Sequence, residues 1–183
     1  MENVKKNAID ILLSESFKEL SKKKPIEKIT IKEITNEAGV IRPTFYNHFQ
    51  DKYELLEWIV KEDLEAPMRV ALSQNDFKGG FVNALNKIES EREFYQNAVK
   101  LEGQNSFKET FEAAVSRLLV EFMDEQPFSG ALQYKWMQKK MIGDMYGGFI
   151  AGIVIEWIRL GMKAPKEELA EVTLILLEEP VRL

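Results

Sequence analysis

The sequence predicts an all-α protein with a small N-terminal helical domain, residues 1–53, and a larger C-terminal helical domain, residues 54–183. Apolar residues recur at three- and four-residue spacing along nearly the whole chain, and the period-two alternation of half-buried strands is absent. Hydrophobic residues make up 45% of the 183 residues, which is enough to form a core. The chain has no cysteine, so a disulfide-stabilised fold is excluded.

The apolar periodicity divides the chain into about nine helices. They are predicted over residues 3–22, 30–38, 41–49, 52–72, 77–88, 91–99, 107–123, 132–162 and 165–178. Local signals mark several ends. Thr30 and Glu33 have the spacing of a capping box, Gly39 stands where a helix-terminating glycine belongs, and Asp51 can cap the fourth helix.

Composition argues against several classes of function. A single histidine and the lack of cysteine exclude a multi-histidine or cysteine-ligated metal site, and no cofactor is expected. Phosphate-binding loops, Gly-x-Ser-x-Gly and Gly-x-Gly-x-x-Gly motifs are missing, so we expect no enzyme. The N-terminus lacks the apolar core of a secretory signal, and the uncharged run 145–155 is shorter than the ~20 residues that span a bilayer. We therefore expect a cytoplasmic protein that does not enter a membrane.

Charge is unevenly distributed between the two predicted domains. Residues 1–53 carry a formal charge of +2 and residues 54–183 carry −7, within a total of −5. The total argues against a general polyanion binder but permits a local surface that reads DNA. The asymmetry fits a two-part protein whose parts have different partners.

The first 50 residues contain the most informative pattern, because two short helices separated by a glycine turn follow a longer one. This is the helix-turn-helix arrangement, in which the second short helix enters the DNA major groove. At 100° per residue, Phe45 and Phe49 share the side that faces the core. The other sides carry polar groups and two hydrogen-bonding rings: Pro43, Thr44, Tyr46, Asn47 and His48. Such a strip suits base reading at its centre and phosphate contact at its margins.

Residues 29–56, ITIKEITNEAGVIRPTFYNHFQDKYELL, resemble the DNA-binding signature of the TetR family of bacterial transcriptional regulators. The matching positions are Thr30, Ile34, Ala38, Gly39, Val40, Thr44, Phe45, Tyr46, His48, Phe49, Lys52, Leu55 and Leu56. A narrower similarity, carried by residues 42–49 and 51–56, is to the dihydroxyacetone-kinase-operon regulators. Beyond residue 60 the resemblance lies in chain length and helical architecture alone.

The resemblance implies a homodimer that binds a palindromic double-stranded operator, most simply as a repressor released by a small-molecule effector. It implies phosphate contacts from Thr30, Tyr46, His48 and Lys52. It implies base contacts from Arg42, Pro43, Thr44 and Asn47. The family commonly has serine where this chain has Ile41, and a small residue, often glycine, where it has Pro43. The operator sequence therefore cannot be taken from relatives.

The larger domain is predicted to bind the effector and to form the dimer. Aromatic candidates for the pocket wall are Trp58, Phe81, Phe94, Tyr95, Phe111, Phe122 and Trp136. Candidates for the dimer interface on the last two helices are Gly148, Gly152, Ile155, Leu169, Val172 and Leu176. Two alternatives stay open: the glycine-rich helix 132–162 is simply central to its own domain, or the protein is a helical adaptor that has lost DNA binding.

Overall fold

The computed structural model describes the backbone of residues 2–103, 105–125, 132 and 134–178. Within these residues it is helical and has no strand. The helices are α1 (Glu2–Lys23), α2 (Ile31–Glu37), α3 (Arg42–Tyr46), α4 (Lys52–Val60), α5 (Ala66–Ser73), α6 (Phe77–Ser90), α7 (Arg92–Ala98), α8 (Phe107–Glu125), α9 (Lys139–Arg159) and α10 (Lys166–Glu178). A π turn, Lys61–Glu65, joins α4 to α5 in one continuous helix, so the described part contains nine continuous helices. The predicted all-α fold is confirmed.

The N-terminal head is built from α1 to α3 and the start of α4. Each of these helices contributes at least one fully buried side chain, among them Phe17, Ile34, Phe45 and Leu55. The capping box at the start of α2 is confirmed, since the Thr30 side chain accepts from the Glu33 amide and Glu33 returns to the Thr30 amide. Gly39 has a φ of +66°, which glycine adopts without strain, and it turns the chain from α2 towards α3.

The continuous helix formed by α4 and α5 contains a π turn that the periodicity does not predict. The Ala66 amide donates to the Lys61 carbonyl, five residues earlier. Pro67 comes directly after and lacks an amide hydrogen, and in a regular α-helix its ring would clash with the carbonyl four residues before it. The wider turn relieves that clash. As a consequence, the short segment Asp63, Leu64 and Glu65 presents its side chains to two different surroundings.

Helices α8 and α9 pack closely because α9 has glycines where it meets α8. A Cβ added at Gly147 would lie 3.0 Å from both the Glu112 carbonyl oxygen and the Ser116 amide nitrogen of α8. A Cβ at Gly143 would lie 3.0 Å from the Ser116 carbonyl oxygen. Gly148 and Gly152, which were predicted for the dimer interface, do not take part in this contact, since Gly152 has nothing within 4 Å of its added Cβ. The tight contact is therefore inside the subunit.

Gly147→Ala is expected to lower stability by about 1–3 kcal/mol, because the new methyl group meets backbone atoms of α8 that cannot move aside alone. Gly148→Ala is the matched control, since its nearest neighbour is the end of the Glu112 side chain at 3.9 Å. Alanine also has a higher helix propensity than glycine, so Gly148→Ala is not expected to lower stability. Urea unfolding followed by circular dichroism compares the two, and equal effects would contradict this packing.

The boundaries of α9 differ from the predicted helix 132–162. The chain turns before the helix, with the Met137 amide donating to the Tyr134 carbonyl at 3.0 Å, and Gln138 is extended. At the other end Gly161 has a φ of +78°, and the Met162 amide donates back to the Trp157 carbonyl. These are the marks of a glycine-terminated helix. Periodicity alone detects neither end.

Among the described residues, α9 is the one helix long and apolar enough to cross a membrane by length and composition. Half of its most apolar window is buried inside the protein. Its Gly143 and Gly147 meet α8, and its apolar side chains Ile150, Val154 and Ile158 are in the core. We therefore interpret α9 as a core helix.

Candidate nucleic-acid interface and effector cavity

The short helix α3 is anchored to the head by two aromatic rings. Phe45 and Phe49 are buried, with ring centroids 5.9 Å apart, and Phe49 meets Trp58 of α4 edge-on at 6.1 Å. The predicted core role of both phenylalanines is confirmed. Because this side of α3 is fixed inward, its other side is directed to solvent.

The outward side of α3 presents the side chains predicted to approach the bases. Arg42, Pro43 and Asn47 are exposed, and Thr44 is half-buried. The Tyr46 ring is also exposed, and its hydroxyl accepts a hydrogen bond from Arg42 Nη2 at 3.1 Å. The guanidinium lies 5.8 Å from the centre of the same ring. Arg42 and Tyr46 thus form one polar unit at the edge of this face.

Thr30 lies at the exposed start of α2, with its hydroxyl engaged in the capping box. The hydroxyl donates to Glu33 Oε2 at 2.7 Å and accepts from the Glu33 amide at 3.3 Å. The Lys24 ammonium and these bonds from Thr30 hold the pKa of Glu33 at about 2, so the carboxylate stays charged at neutral pH. A phosphate contact from Thr30 stays a prediction.

His48 is not on the exposed face where the helical projection puts it. Its side chain is 12% exposed, and Nδ1 lies 2.6 Å from Asp10 Oδ1 of α1. The partner is 38 residues earlier in the chain, which a projection of α3 cannot reveal. His48 therefore ties the end of α3 to α1, and its predicted exposure was wrong.

Lys52 has a structural position that differs from the predicted phosphate contact. Its ammonium donates to three backbone carbonyls, those of Ile26 at 2.9 Å, Glu27 at 2.7 Å and Ile29 at 2.9 Å. Burial lowers the pKa of Lys52. An ammonium has three N–H groups, and all three are used here. Lys52 therefore fastens the turn between α1 and α2 to the start of α4, and a phosphate contact from it stays a prediction.

We call the part of the chain from the π turn to α10 the body. An apolar cavity of about 50 Å³ lies in it between α5, α6, α8 and α9. Apolar side chains form nearly all of its wall, among them Met68, Phe81, Phe111 and Leu118. Glu65 is the one charged residue of the lining. Its carboxylate is buried and accepts from Arg69 at 2.8 Å and from Arg117 at 3.0 Å. The paired carboxylate adds no unsatisfied charge, so the cavity suits an apolar group.

Two of the seven aromatic residues predicted for the pocket wall, Phe81 and Phe111, line this cavity. The other five do not. Trp58 packs against Phe49 in the head, Phe94 and Tyr95 lie in the buried aromatic cluster around Phe17, and Phe122 is outside the lining. Trp136 is 65% exposed, because the chain turns before α9 begins. This cavity therefore does not support a pocket role for these five residues.

A partly buried polar junction connects the head to the body. We define it as Lys18 of α1, Asp63 of the π turn, Lys87 and Glu91 at the end of α6, and Tyr95 of α7. The Lys18 ammonium lies 2.7 Å from Asp63 Oδ2 and 2.8 Å from Glu91 Oε2. Lys87 and the Tyr95 hydroxyl also approach Asp63, at 3.5 and 3.3 Å. Burial beside these two carboxylates raises the pKa of Tyr95 well above its usual value.

Two sets of contacts connect the junction with the cavity. The π turn presents Asp63 to the junction and its neighbours Leu64 and Glu65 to the cavity. An aromatic contact series runs from Tyr95 to Phe107 at 5.8 Å and from Phe107 to Phe111, a cavity residue, at 5.7 Å. Sequence reasoning missed this arrangement, because its charged members lie on three elements that are far apart in the sequence.

The last two helices expose apolar side chains. On α9 these are Met141, Met145, Tyr146 and Phe149, with the open Gly152. On α10 they are Val172, Ile175 and Leu176. Of the predicted dimer residues, Gly152, Val172 and Leu176 are exposed, while Gly148 and Leu169 are half-buried. Ile155 is 3% exposed and packs inside its own subunit, so its assignment to an intersubunit surface was wrong.

No group of three histidine or acidic side chains within the described residues could hold a metal ion. Several charged groups of the body are joined in ion pairs, such as Arg69 with Glu121 and Lys166 with Glu89. These contacts are surface pairs between helices.

Comparison with known families and proteins gives consistent similarities. Residues 17–59 match the family described as "Bacterial regulatory proteins, tetR family", and residues 75–179 match "Transcriptional regulator C-terminal region". The "HTH-type dhaKLM operon transcriptional activator DhaS" of Lactococcus lactis is 24% identical over 165 residues, 90% of this chain and 87% of its own. An "Uncharacterized HTH-type transcriptional regulator" of Haemophilus influenzae is 28% identical over 62% of this chain and 58% of its own.

Two solved structures share the fold. "Dihydroxyacetone kinase operon activator DhaS" has a TM-score of 0.62 at 22% identity, covering 93% of this chain and 94% of that one. The Thermus thermophilus protein FadR, described as a transcriptional repressor in complex with lauroyl-CoA, has a TM-score of 0.61 at 18% identity and covers 95% of both chains. At these identities the likeness concerns the fold.

Proposed function

Because the chain belongs to the TetR family of bacterial transcriptional regulators, we propose that it binds a palindromic operator as a homodimer and responds to a small effector. The observation that carries the proposal is the geometry of α3. Phe45 and Phe49 fix one side in the core, and Arg42, Tyr46 and Asn47 stand on the other side with polar groups that can meet DNA. Such a regulator acts in the cytoplasm, where the DNA is.

DNA binding is tested with the full-length protein and the DNA upstream of its own gene, by fluorescence anisotropy at several salt concentrations. A protein that neutralises phosphates loses affinity steeply as salt rises. Failure to bind this DNA or any fragment selected from random sequence would favour the adaptor alternative.

Asn47→Ala tests base reading by the exposed face of α3. An amide side chain can form two hydrogen bonds to adenine in the major groove, which are worth about 1–3 kcal/mol of discrimination. Asn47→Ala is therefore expected to change the base preferred at one position of each half-site in sequences selected in vitro. The control is Asn83→Ala on α6, which is exposed but belongs to the body. Unchanged preference in Asn47→Ala would refute the base contact.

The exposed apolar side chains of α9 support the proposed dimer. Met145 is among the most exposed large side chains of the described residues, in line with Met141 and Phe149 at four-residue spacing. Exposed apolar strips of this kind mark protein interfaces. Met145→Glu is expected to shift the protein from dimer to monomer in analytical ultracentrifugation. Val70→Glu, at another exposed apolar position on α5, should leave the dimer intact.

The cavity supports an effector that is largely apolar. The space of about 50 Å³ is smaller than the ~150 Å³ that holds benzene, so a ligand must displace side chains such as Met68 to enter. A ligand that binds one conformation better shifts the population towards it. Binding of 1-octanol, octanoic acid and octylamine, measured by calorimetry, tests this. Ala114→Leu should fill the cavity and abolish binding, whereas Ala113→Leu, its exposed neighbour, should not.

We further propose that the DNA-bound protein represses transcription. The similar Thermus protein is described as a repressor, whereas the Lactococcus relative is named an activator. In vitro transcription from the upstream DNA distinguishes the two: repression lowers the transcript when protein is added, and activation raises it.

A further inference from the structure

Ile41 is the most exposed large apolar side chain among the described residues, at 68%. It occupies the N-cap position of α3, in extended conformation with φ −88° and ψ 153°, and makes no side-chain cap hydrogen bond. Side chains with an oxygen acceptor are strongly preferred at this position. The chain therefore forgoes a stabilising cap and places an aliphatic group in water beside the base-reading face.

The surroundings of Ile41 connect it with the proposed DNA surface. Its carbonyl accepts from the Thr44 amide at 2.9 Å, so its backbone is fixed to the first turn of α3. The next two residues, Arg42 and Pro43, are also exposed. The first residues of a recognition helix are those that approach base edges in the major groove. Ile41 and the Pro43 ring are then apolar parts of a surface that is otherwise polar.

Of the groups that base pairs present in the major groove, one is apolar: the C5 methyl of thymine. A single exposed apolar residue is ordinary on a protein surface. Ile41 differs because it lies where a polar cap is favoured and where DNA is proposed to bind. We propose that Ile41 is a specificity residue that contacts the methyl group of a thymine in each operator half-site. This proposal rests on the proposed DNA-binding function.

The test replaces thymine by deoxyuridine, which lacks only the C5 methyl. An operator is first selected in vitro with the wild-type protein, and each thymine is then replaced symmetrically in both half-sites. Losing one buried methyl contact weakens binding about fourfold, and losing one in each half-site weakens it about fifteenfold. We expect one symmetric pair of positions to show this loss with the wild-type protein.

Ile41→Ser is expected to bind thymine and deoxyuridine at that pair of positions equally. Ile41→Val should keep part of the difference, and Leu160→Ser, an exposed apolar position in the body, should keep all of it. Circular dichroism shows that each variant is folded before binding is measured. The proposal is overturned if no deoxyuridine pair weakens the wild-type protein, or if Ile41→Ser retains the wild-type difference. In both cases DNA binding itself persists, so failure of the proposed function, which is absence of DNA binding, is distinguishable.

Discussion

Lys18→Met is expected to lower the free energy of unfolding by about 3–5 kcal/mol, the largest effect of any single substitution proposed for this chain. The Lys18 side chain is 6% exposed and lies within 3 Å of carboxylate oxygens of both Asp63 and Glu91. Methionine keeps the aliphatic volume but removes the charge. Two carboxylates then remain in a partly buried junction with Lys87 as their remaining cation.

Urea unfolding of the full-length protein measures this effect. The matched control is Lys22→Met, one helical turn along α1, where the ammonium pairs with Glu19 at the surface. Surface pairs contribute ~0–1 kcal/mol, so this variant should unfold almost like the wild type. Similar unfolding of the Lys18 and Lys22 variants would show that the junction does not hold the head against the body.

The same substitution bears on how an effector bound in the cavity could change the affinity for DNA. Asp63 belongs to the π turn whose neighbours Leu64 and Glu65 line the cavity. A ligand that enlarges the cavity must move that turn or the side chains around it. We therefore expect Lys18→Met to change DNA affinity without any ligand, because the orientation of the head is no longer fixed by this contact.

Lys52→Ala is expected to destabilise the head by about 3 kcal/mol and to weaken binding to every DNA sequence. The substitution leaves the carbonyls of Ile26, Glu27 and Ile29 without the ammonium that they share. Hydrogen bonds to charged groups contribute about 1.5–3 kcal/mol each, and water recovers part of the loss at the exposed carbonyl. The measurement is urea unfolding followed by circular dichroism, with the exposed Lys28→Ala as control.

Salt dependence separates this role from a phosphate contact. If Lys52 neutralised a phosphate, its removal would reduce the slope of log affinity against log salt by about one. With Lys52 bound to backbone carbonyls, the folded Lys52→Ala protein should keep the wild-type slope. A slope reduced by one would support the phosphate contact that the family resemblance implies.

Local sequence signals predicted much of the fold because they act over a few residues. The capping box of Thr30 and Glu33, the glycine turn at Gly39 and the inward pair Phe45 and Phe49 all depend on neighbours within four residues. Each was found where its spacing indicated. The resemblance to the TetR signature concerns this same local stretch.

The errors concern contacts between distant parts of the chain. His48 is half-buried because Asp10 lies against it, and Lys52 is engaged because the turn at residues 26–29 folds over it. A helical projection contains neither partner. Similarly, apolar periodicity could not tell a cavity wall from the general core, so it selected Tyr95 and missed Met68.

The π turn could have been suspected from Pro67, since proline inside a predicted helix disrupts regular hydrogen bonding. The placement of Asp63 in the junction and of Glu65 at the cavity could not have been predicted, because it depends on helices elsewhere in the chain. Lys18 and Glu91 are 73 residues apart, and only the assembled fold brings their charges together.

Hydroxyl-radical footprinting of the full-length protein on its selected operator tests the central claim most directly. Two copies of α3 on a dimer should protect two symmetric half-sites whose centres are about 34–36 Å apart, one turn of DNA or a multiple of it. Met145→Glu, which should separate the subunits, is expected to lose the paired protection at the same protein concentration. A single protected site without symmetry, or protection unaffected by substitution of Asn47 and Tyr46, would contradict the account.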